Sequence, residues 1–244
     1  MLRRRLIQFV IACLVVAGIA AGSFWWGLRQ VPDFYQRALA RHPDPEMRQE
    51  SAKEFDQRAW RLVAELQHAR EWSEEFLQDD VNNWLAEELH SKYPELVPPG
   101  IEQPRVMLRE GDVQIGFRYE DSQFQGIISL EVRPWVPEAN LLAIEVRSVK
   151  AGLIPIPLDQ VIEEVTRRIQ SSGWRVEWKE VGGNDVLLVH LDRGASEQPV
   201  LERIDLAAGS VRISGTRKAG GSSGTPQPFR ISSLFQAHGE AGGE

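Results

Sequence analysis

The pattern of apolar and charged residues divides the chain into an apolar N-terminal segment, a mixed central region and a tail rich in Gly, Ser and Pro. Residues 6–28 carry no charge, and Arg3, Arg4 and Arg5 stand directly before them. A helix of this length extends about 35 Å, which exceeds the roughly 30 Å hydrocarbon core of a bilayer. Because arginines that flank a span stay in the cytoplasm, the pattern predicts a single-pass membrane anchor with the bulk of the chain outside the cytoplasm.

Two alternatives to an uncleaved anchor remain open. Residues 19–23 (IAAGS) contain the small residues that are typical of a signal-peptide cleavage site, although the apolar run is long for a signal peptide. Residues 10–13 (VIAC) offer Cys13 as a lipidation site, but the residues after it stay apolar. An uncleaved anchor also accounts for Phe24, Trp25 and Trp26, which would form an aromatic belt at the outer membrane–water interface.

Two amphipathic helices are predicted after a short juxtamembrane segment at 31–42. The first covers residues 45–70 and carries one apolar stripe on a charged helix. This stripe consists of Phe55, Ala59, Leu62, Val63 and Leu66. The second covers residues 79–91, and Asp79 or Asp80 is predicted to cap it. Its apolar face consists of Val81, Trp84, Leu85 and Leu89.

A four-stranded antiparallel meander is predicted next. Val113, Ile115 and Phe117 alternate with polar residues, which is typical of a sheet with one buried face, and turn sequences separate the runs. The predicted strands lie near 106–108, 113–119, 124–132 and 142–146.

A helix and further strands are predicted to follow the meander. Pro155 and Pro157 lack the amide donor that a central strand needs, so residues 151–157 should lead into a helix at 158–170. The later predicted strands lie at 174–178, 186–191, 201–206 and 211–213. From residue 218 to residue 244 the composition favours disorder.

Runs of strands with helices on one face indicate the α+β class. We therefore predict an N-terminal transmembrane helix followed by a long curved antiparallel sheet, a meander plus hairpins, packed on two or three helices. The predicted organisation is an anchor at 1–30, a juxtamembrane segment and amphipathic helix at 31–70, an extracytoplasmic domain at 71–217 and a tail at 218–244.

The charge balance agrees with an extracytoplasmic domain. Of 28 basic residues three precede the anchor, so 25 remain against 35 acidic ones, a net charge of −10 outside. This excess argues against nucleic acid as a partner and against electrostatic docking on anionic lipid. Cys13 is the only cysteine, so no intrachain disulfide can form and the domain must be held by its core.

No motif in the sequence indicates an enzyme, a cofactor or a metal site. The five histidines are scattered, and there is no His-Glu-x-x-His, Gly-x-Ser-x-Gly, Walker or dinucleotide-binding motif. His190 lies on a predicted strand, where a structural role is the simpler interpretation. Tryptophans give the stronger signal, because Trp84, Trp174 and Trp178 would line a hydrophobic groove if the sheet does not close tightly on its helices.

Residues 76–85 (FLQDDVNNWL) resemble the pattern Phe-Thr-x-x-Gln-hydrophobic-Asn-x-Trp-Leu of membrane-anchored bacterial envelope proteins, including uncharacterised planctomycete-type families. Leu77 and Asp80 replace the Thr and Gln of that pattern. Residues 151–158 (AGLIPIPL) and 211–215 (VRISG) are similar to segments of the same families.

More distantly, the layout from 72 to 215 is similar to that of YpmS-like and LmeA-like proteins, which are related to tubular lipid-binding domains. The resemblance implies contact with a lipid or another hydrophobic ligand and brings no catalytic residues. Asn82 matches the Asn of the pattern, and we expect it to bond to the backbone at a helix–sheet junction.

The leading hypothesis is therefore a single-pass envelope protein whose outer domain binds or shields a lipid or other hydrophobic ligand without catalysis. The alternative is a scaffolding module that docks another envelope protein, or a second copy, through a sheet edge or through its N-terminal helix. Partner-helix candidates in that case are Phe55, Leu62, Val63 and Leu66. An enzyme would require a cavity in which His190 meets several carboxylates.

Overall fold

The computed structural model describes residues 22–41, 44–94, 97–121, 124–157, 162, 166, 175–191 and 199–217. Over these residues the prediction of an α+β fold with a large antiparallel sheet and a few helices is confirmed. In this described part, no helix has the length and apolar character needed to cross a bilayer. Most of the predicted anchor, most of the predicted helix at 158–170 and the predicted tail lie outside the described residues.

The described helices and strands follow the chain in this order. The helices are α1 (22–28), α2 (Asp33–Ala40), α3 (Pro45–His68), α4 (Gln78–Glu87) and α5 (Leu89–Lys92). The strands are β1 (Glu71–Leu77), β2 (Ile101–Arg109), β3 (Asp112–Glu120), β4 (Gln125–Glu138), β5 (Leu141–Ala151), β6 (Ile154–Pro155), β7 (Arg175–Val181), β8 (Asn184–His190), β9 (Pro199–Ala207) and β10 (Ser210–Arg217).

The larger sheet contains the predicted meander. Strands β2 to β5 pair as successive antiparallel hairpins, and the strand order is β2-β3-β4-β5-β8-β7 with β6 paired to β5. Because β8 lies between β5 and β7, its run of apolar residues from Val186 to Val189 is buried. The core here consists of Leu141, Ala143, Val186 and Leu188, with Trp135 and Val181 packed against it.

A separate three-stranded sheet, in the order β1-β10-β9, takes up the last predicted hairpin. The sequence pattern predicts that hairpin on one long sheet and does not predict β1, because Glu74 interrupts the apolar alternation between Trp72 and Phe76. Asn140, in the β4–β5 turn, joins the two sheets. Its Oδ1 accepts a hydrogen bond from the Leu201 amide at 2.8 Å, and its own backbone amide donates to the Leu201 carbonyl at 2.9 Å.

Two helical predictions need correction. The sequence predicts the segment at 31–42 only as a juxtamembrane connection, but it contains α2 with Phe34, Tyr35 and Ala38 buried. The predicted helix at 79–91 begins at Gln78 and is interrupted at Glu88, and no side chain caps it. Asp80 instead accepts a hydrogen bond from the Ser51 hydroxyl of α3 at 2.7 Å. The carboxylate is used for helix–helix packing, and its position in the first turn still suits the helix dipole.

Side-chain amides of α4 close the outer edge of β2. Asn82 Oδ1 accepts a hydrogen bond from the Val106 amide at 2.8 Å, and its Nδ2 donates to the Val106 carbonyl at 2.9 Å. One turn earlier, Gln78 Oε1 accepts from the Leu108 amide at 2.8 Å. Both side chains are buried. They supply hydrogen-bond partners that a neighbouring strand would otherwise provide at this edge. The predicted backbone bond of Asn82 at a helix–sheet junction is confirmed.

Replacing Asn82→Ala should lower the free energy of unfolding by about 2–4 kcal/mol, because the Val106 amide and carbonyl lose their partners while still buried by α4. Chemical denaturation of the full chain in a non-ionic detergent measures the effect. Gln57→Ala, at an exposed position of α3, is the matched control and should change stability by less than about 0.5 kcal/mol. Equal losses in the two variants would contradict a role for Asn82 at the edge.

Candidate functional site

The end of α1 is fixed to the larger sheet through backbone contacts. The Leu153 amide, in the β5–β6 turn, donates to the Gly27 carbonyl at 3.0 Å. Gly152 has φ +59°, and a Cβ there would lie 2.7 Å from the Leu28 carbonyl oxygen and against the Gly27 carbonyl. A side chain at Gly27 would meet Ile154 at 2.9 Å. The two glycines therefore let the α1 and β5–β6 backbones touch.

Four large apolar side chains are exposed around this junction. Phe24, Trp25 and Trp26 on α1 are each more than half exposed, and so is Leu153 in the turn that contacts α1. The guanidinium of Arg29 lies 4.8 Å from the centre of the Trp25 ring, a cation–π contact. Several exposed large apolar side chains near one junction are typical of a surface that meets a membrane or a partner.

A cleft of about 780 Å³ opens beside this cluster, between the end of α1, helix α2 and the β3–β4 turn. We call it the N-terminal cleft. Its apolar lining consists of Trp25, Leu28, Val31, Leu39, Phe124 and Ile127. Among the lining residues, Arg29, Arg118, Glu120 and Asp121 carry charges that balance to zero. The cleft therefore presents a mixed surface, in which apolar side chains alternate with polar groups of no net charge.

Helix α2 forms one wall because Gly116 of β3 allows it to approach. A Cβ at Gly116 would lie 2.8 Å from Tyr35 Cδ2 and 3.0 Å from Phe34 Cζ. The Tyr35 hydroxyl donates to the Gln103 carbonyl at 2.9 Å, and Gln103 has the positive φ of 49°. Burial raises the pKa of Tyr35, and this effect exceeds the opposing one of nearby Arg105 and Arg118. The phenol therefore stays neutral, and its hydrogen bond holds α2 on β2.

The opposite wall is the β3–β4 turn. Asp121 Oδ1 accepts a hydrogen bond from the Phe124 amide at 2.7 Å, and the Phe124 ring stacks on Tyr119 with centroids 6.4 Å apart. Gln125 Nε2 donates to Glu120 Oε2 at 2.9 Å. These contacts set the position of the Phe124 ring in the cleft wall.

The lining of the N-terminal cleft contains few kinds of chemical group. The described residues that line the N-terminal cleft include no His, Cys, Ser or Lys. Its two carboxylates accept hydrogen bonds, Glu120 from the Gln125 side-chain amide and Asp121 from the Phe124 backbone amide. Over the part of the chain that the structure describes, no three His, Cys, Asp or Glu side chains are grouped so that they could hold a metal ion. A lining that combines apolar and polar side chains fits an amphipathic molecule.

Two of the three tryptophans named from the sequence, Trp84 and Trp178, do not line this cleft. Trp84 packs between Phe55 and Tyr93, with ring centroids 5.3 and 5.8 Å away, and its Nε1 donates to Asp56 at 3.3 Å. Trp178 lies on β7, at the edge of the larger sheet opposite β2 and α4, and donates to the Thr166 hydroxyl at 2.6 Å. Trp174 lies outside the described residues.

The apolar stripe of α3 divides into an inner and an outer part. Phe55 contacts Phe76 at 5.2 Å as well as Trp84, and Leu62 is buried. Leu66 is half-buried, whereas Val63 is 43 % exposed. Trp60, one turn before Val63, is 64 % exposed. The outward face of α3 therefore carries Trp60 and Val63.

The N-terminal cleft does not follow from the sequence prediction, which treats residues 31–42 as a connection. Tyr35 and Leu39 are spaced i, i+4 and both line the cleft, so helical periodicity is the available signal. The sequence predicts Phe124 and Ile127 in a strand, and nothing local to them indicates that α1 lies opposite.

No family model matches the chain, and neither curated proteins nor solved structures give a match.

Replacing Gly152→Ala should destabilise the junction of α1 with the sheet, since the new Cβ would press on two backbone carbonyls. Gly182→Ala is the matched control, because Gly182 has φ +60° and a Cβ added there would meet nothing within 4 Å. The control should cost about 1 kcal/mol of unfolding free energy from backbone conformation alone, and Gly152→Ala at least twice as much. Denaturation of both full-length variants in detergent measures this, and equal losses would contradict a tight junction.

Proposed function

We propose that the chain is a single-pass envelope protein, with its N-terminus in the cytoplasm, whose outer domain binds or shields a lipid or other hydrophobic ligand without catalysis. The observation that supports this most directly is the position of the N-terminal cleft. Trp25 and Leu28 line it, and both belong to the last turns of the predicted membrane anchor. A lipid that leaves the bilayer beside the anchor would reach the cleft without its acyl chain crossing water.

The exposed aromatic cluster supports the same arrangement. Phe24, Trp25, Trp26 and Leu153 would lie at the outer interface, where tryptophan side chains are favoured. Because the Gly27–Leu153 hydrogen bond fixes the sheet to the end of α1, the cleft would stay at that interface. The binding step requires only desolvation of apolar surface, and about 25 cal/mol is gained for each Å² buried.

The alternative is a scaffold that docks another envelope protein or a second copy of the chain. Its main support in the sequence is the apolar stripe of α3, but Phe55 and Leu62 contact the rest of the domain. Only Trp60 and Val63 remain strongly exposed on that face. The N-terminal cleft, with six apolar lining residues beside the predicted anchor, therefore gives lipid binding the better support.

Blocking the cleft should reduce lipid binding. Leu39→Arg introduces a charge into the apolar lining, and we expect it to weaken binding of a fluorescent phospholipid to the full chain in detergent by about tenfold or more. Val63→Arg makes the same kind of change on the exposed face of a different helix and should leave binding unchanged. Circular dichroism checks that both variants remain folded.

Two results would reject the cleft as the lipid site. One is unchanged binding in Leu39→Arg, and the other is an equal loss in both variants. Lipids around the anchor contribute equally to every full-length variant, so the difference between the variants reports the cleft alone.

The predicted topology has its own test, because Cys13 is the only native cysteine. In a Cys13→Ser background, Glu110→Cys lies in the exposed β2–β3 turn and should react with a membrane-impermeant maleimide on intact cells or spheroplasts. Arg4→Cys, on the predicted cytoplasmic side, should react only after the membrane is opened. Protection of Glu110→Cys in sealed cells would contradict an extracytoplasmic domain.

A further inference from the structure

A second cleft, of about 760 Å³, lies between the C-terminal end of α2, the end of β2 and the β9–β10 turn. Three arginines line it: Arg37, Arg41 and Arg109. None of its described lining residues is an Asp or a Glu. We call it the arginine cleft. It shares no lining residue with the N-terminal cleft, so a ligand could bind here whether or not a lipid binds there.

The ends of α2 and β2 bring the three arginines to one cleft. Arg37 and Arg41 are one turn apart at the end of α2, and the Arg41 amide donates to the Arg37 carbonyl at 3.1 Å. Arg109 is the last residue of β2. Beneath them Ala38 and Leu108 are buried, so the floor of the cleft is apolar and cannot neutralise the charge.

The positive charge is only partly compensated. Asp79 lies 3.5 Å from Arg41, and both side chains are largely exposed, so this pair is weak. Among the described residues no carboxylate lies within ion-pair distance of Arg37 or Arg109. Three arginines and one aspartate leave a local charge of +2 in a domain whose net charge is −10. Carboxylates more than about 8 Å away are largely screened at physiological ionic strength, so the groups that line the cleft contribute most to its charge.

We propose that the arginine cleft binds a phosphate group carried by a small or lipid ligand. A guanidinium presents paired N–H donors that match two phosphate oxygens, and several guanidiniums around one dianion balance its charge. The apolar floor favours a ligand with an aliphatic part next to its phosphate. A phosphorylated lipid headgroup and a soluble phosphate ester share this chemistry.

Titration calorimetry on the full chain in non-ionic detergent tests the proposal with inorganic phosphate as the probe, at constant ionic strength. Arg37→Gln and Arg109→Gln should each weaken phosphate binding about tenfold, and the double variant should weaken it further. Arg61→Gln is the control, since Arg61 is an exposed arginine of α3 outside the cleft and should leave binding unchanged. Gln at all these positions keeps a polar surface, so the variants should fold.

Mass spectrometry of lipids that co-purify with the same variants separates the two sources. Loss of phosphatidic acid from the double variant, with retention in Arg61→Gln, assigns a lipid headgroup. Phosphate binding with no change in co-purified lipid assigns a soluble phosphorylated ligand. Absence of phosphate binding together with unchanged lipid, or an equal loss in Arg61→Gln, would overturn the proposal.

Discussion

The packing of α4 against the edge of β2 is the contact on which the rest of the domain depends. The side chains of Gln78 and Asn82 bond to backbone groups at the edge of β2. The backbone amide of Gln78 donates to the Gly209 carbonyl at 2.9 Å, and the backbone amide of Gly209 donates to the Leu108 carbonyl at 3.1 Å. One short helix thus connects the larger sheet to the β9–β10 turn of the smaller one. Buried side-chain amides of this kind are stabilising because they pair backbone groups that would otherwise lack a partner at the strand edge.

This junction and the α1–sheet junction place the two clefts at different sites around α2. Tyr35 and Leu39 face the N-terminal cleft, whereas Arg37 and Arg41 line the arginine cleft. The position of α2 is set by Gly116, which lets Phe34 and Tyr35 lie directly on β3. A helix of two turns therefore separates an apolar site with balanced charges from a basic one, although the overall net charge of the domain is strongly negative.

The sequence predicts the parts of the fold that depend on local periodicity. The meander from β2 to β5, the long helix α3 and the backbone bond of Asn82 follow from alternation, from helical spacing and from a resemblance in one motif. The smaller sheet could not be predicted this way, because β1 pairs with β10 across more than a hundred residues and Glu74 breaks its pattern. Neither cleft could be located, since each joins residues from three distant segments. The net charge of the chain likewise gives no sign that three arginines line one cleft.

The backbone contact between Gly27 and the β5–β6 turn has a mechanical consequence. This hydrogen bond joins two main chains with no side chain between them that could rotate, so it fixes the orientation of α1 relative to the sheet. If α1 continues into a membrane anchor, the sheet would keep one tilt and one height above the bilayer. Whatever approaches from the membrane or from the space above it would then always meet the same face of the protein.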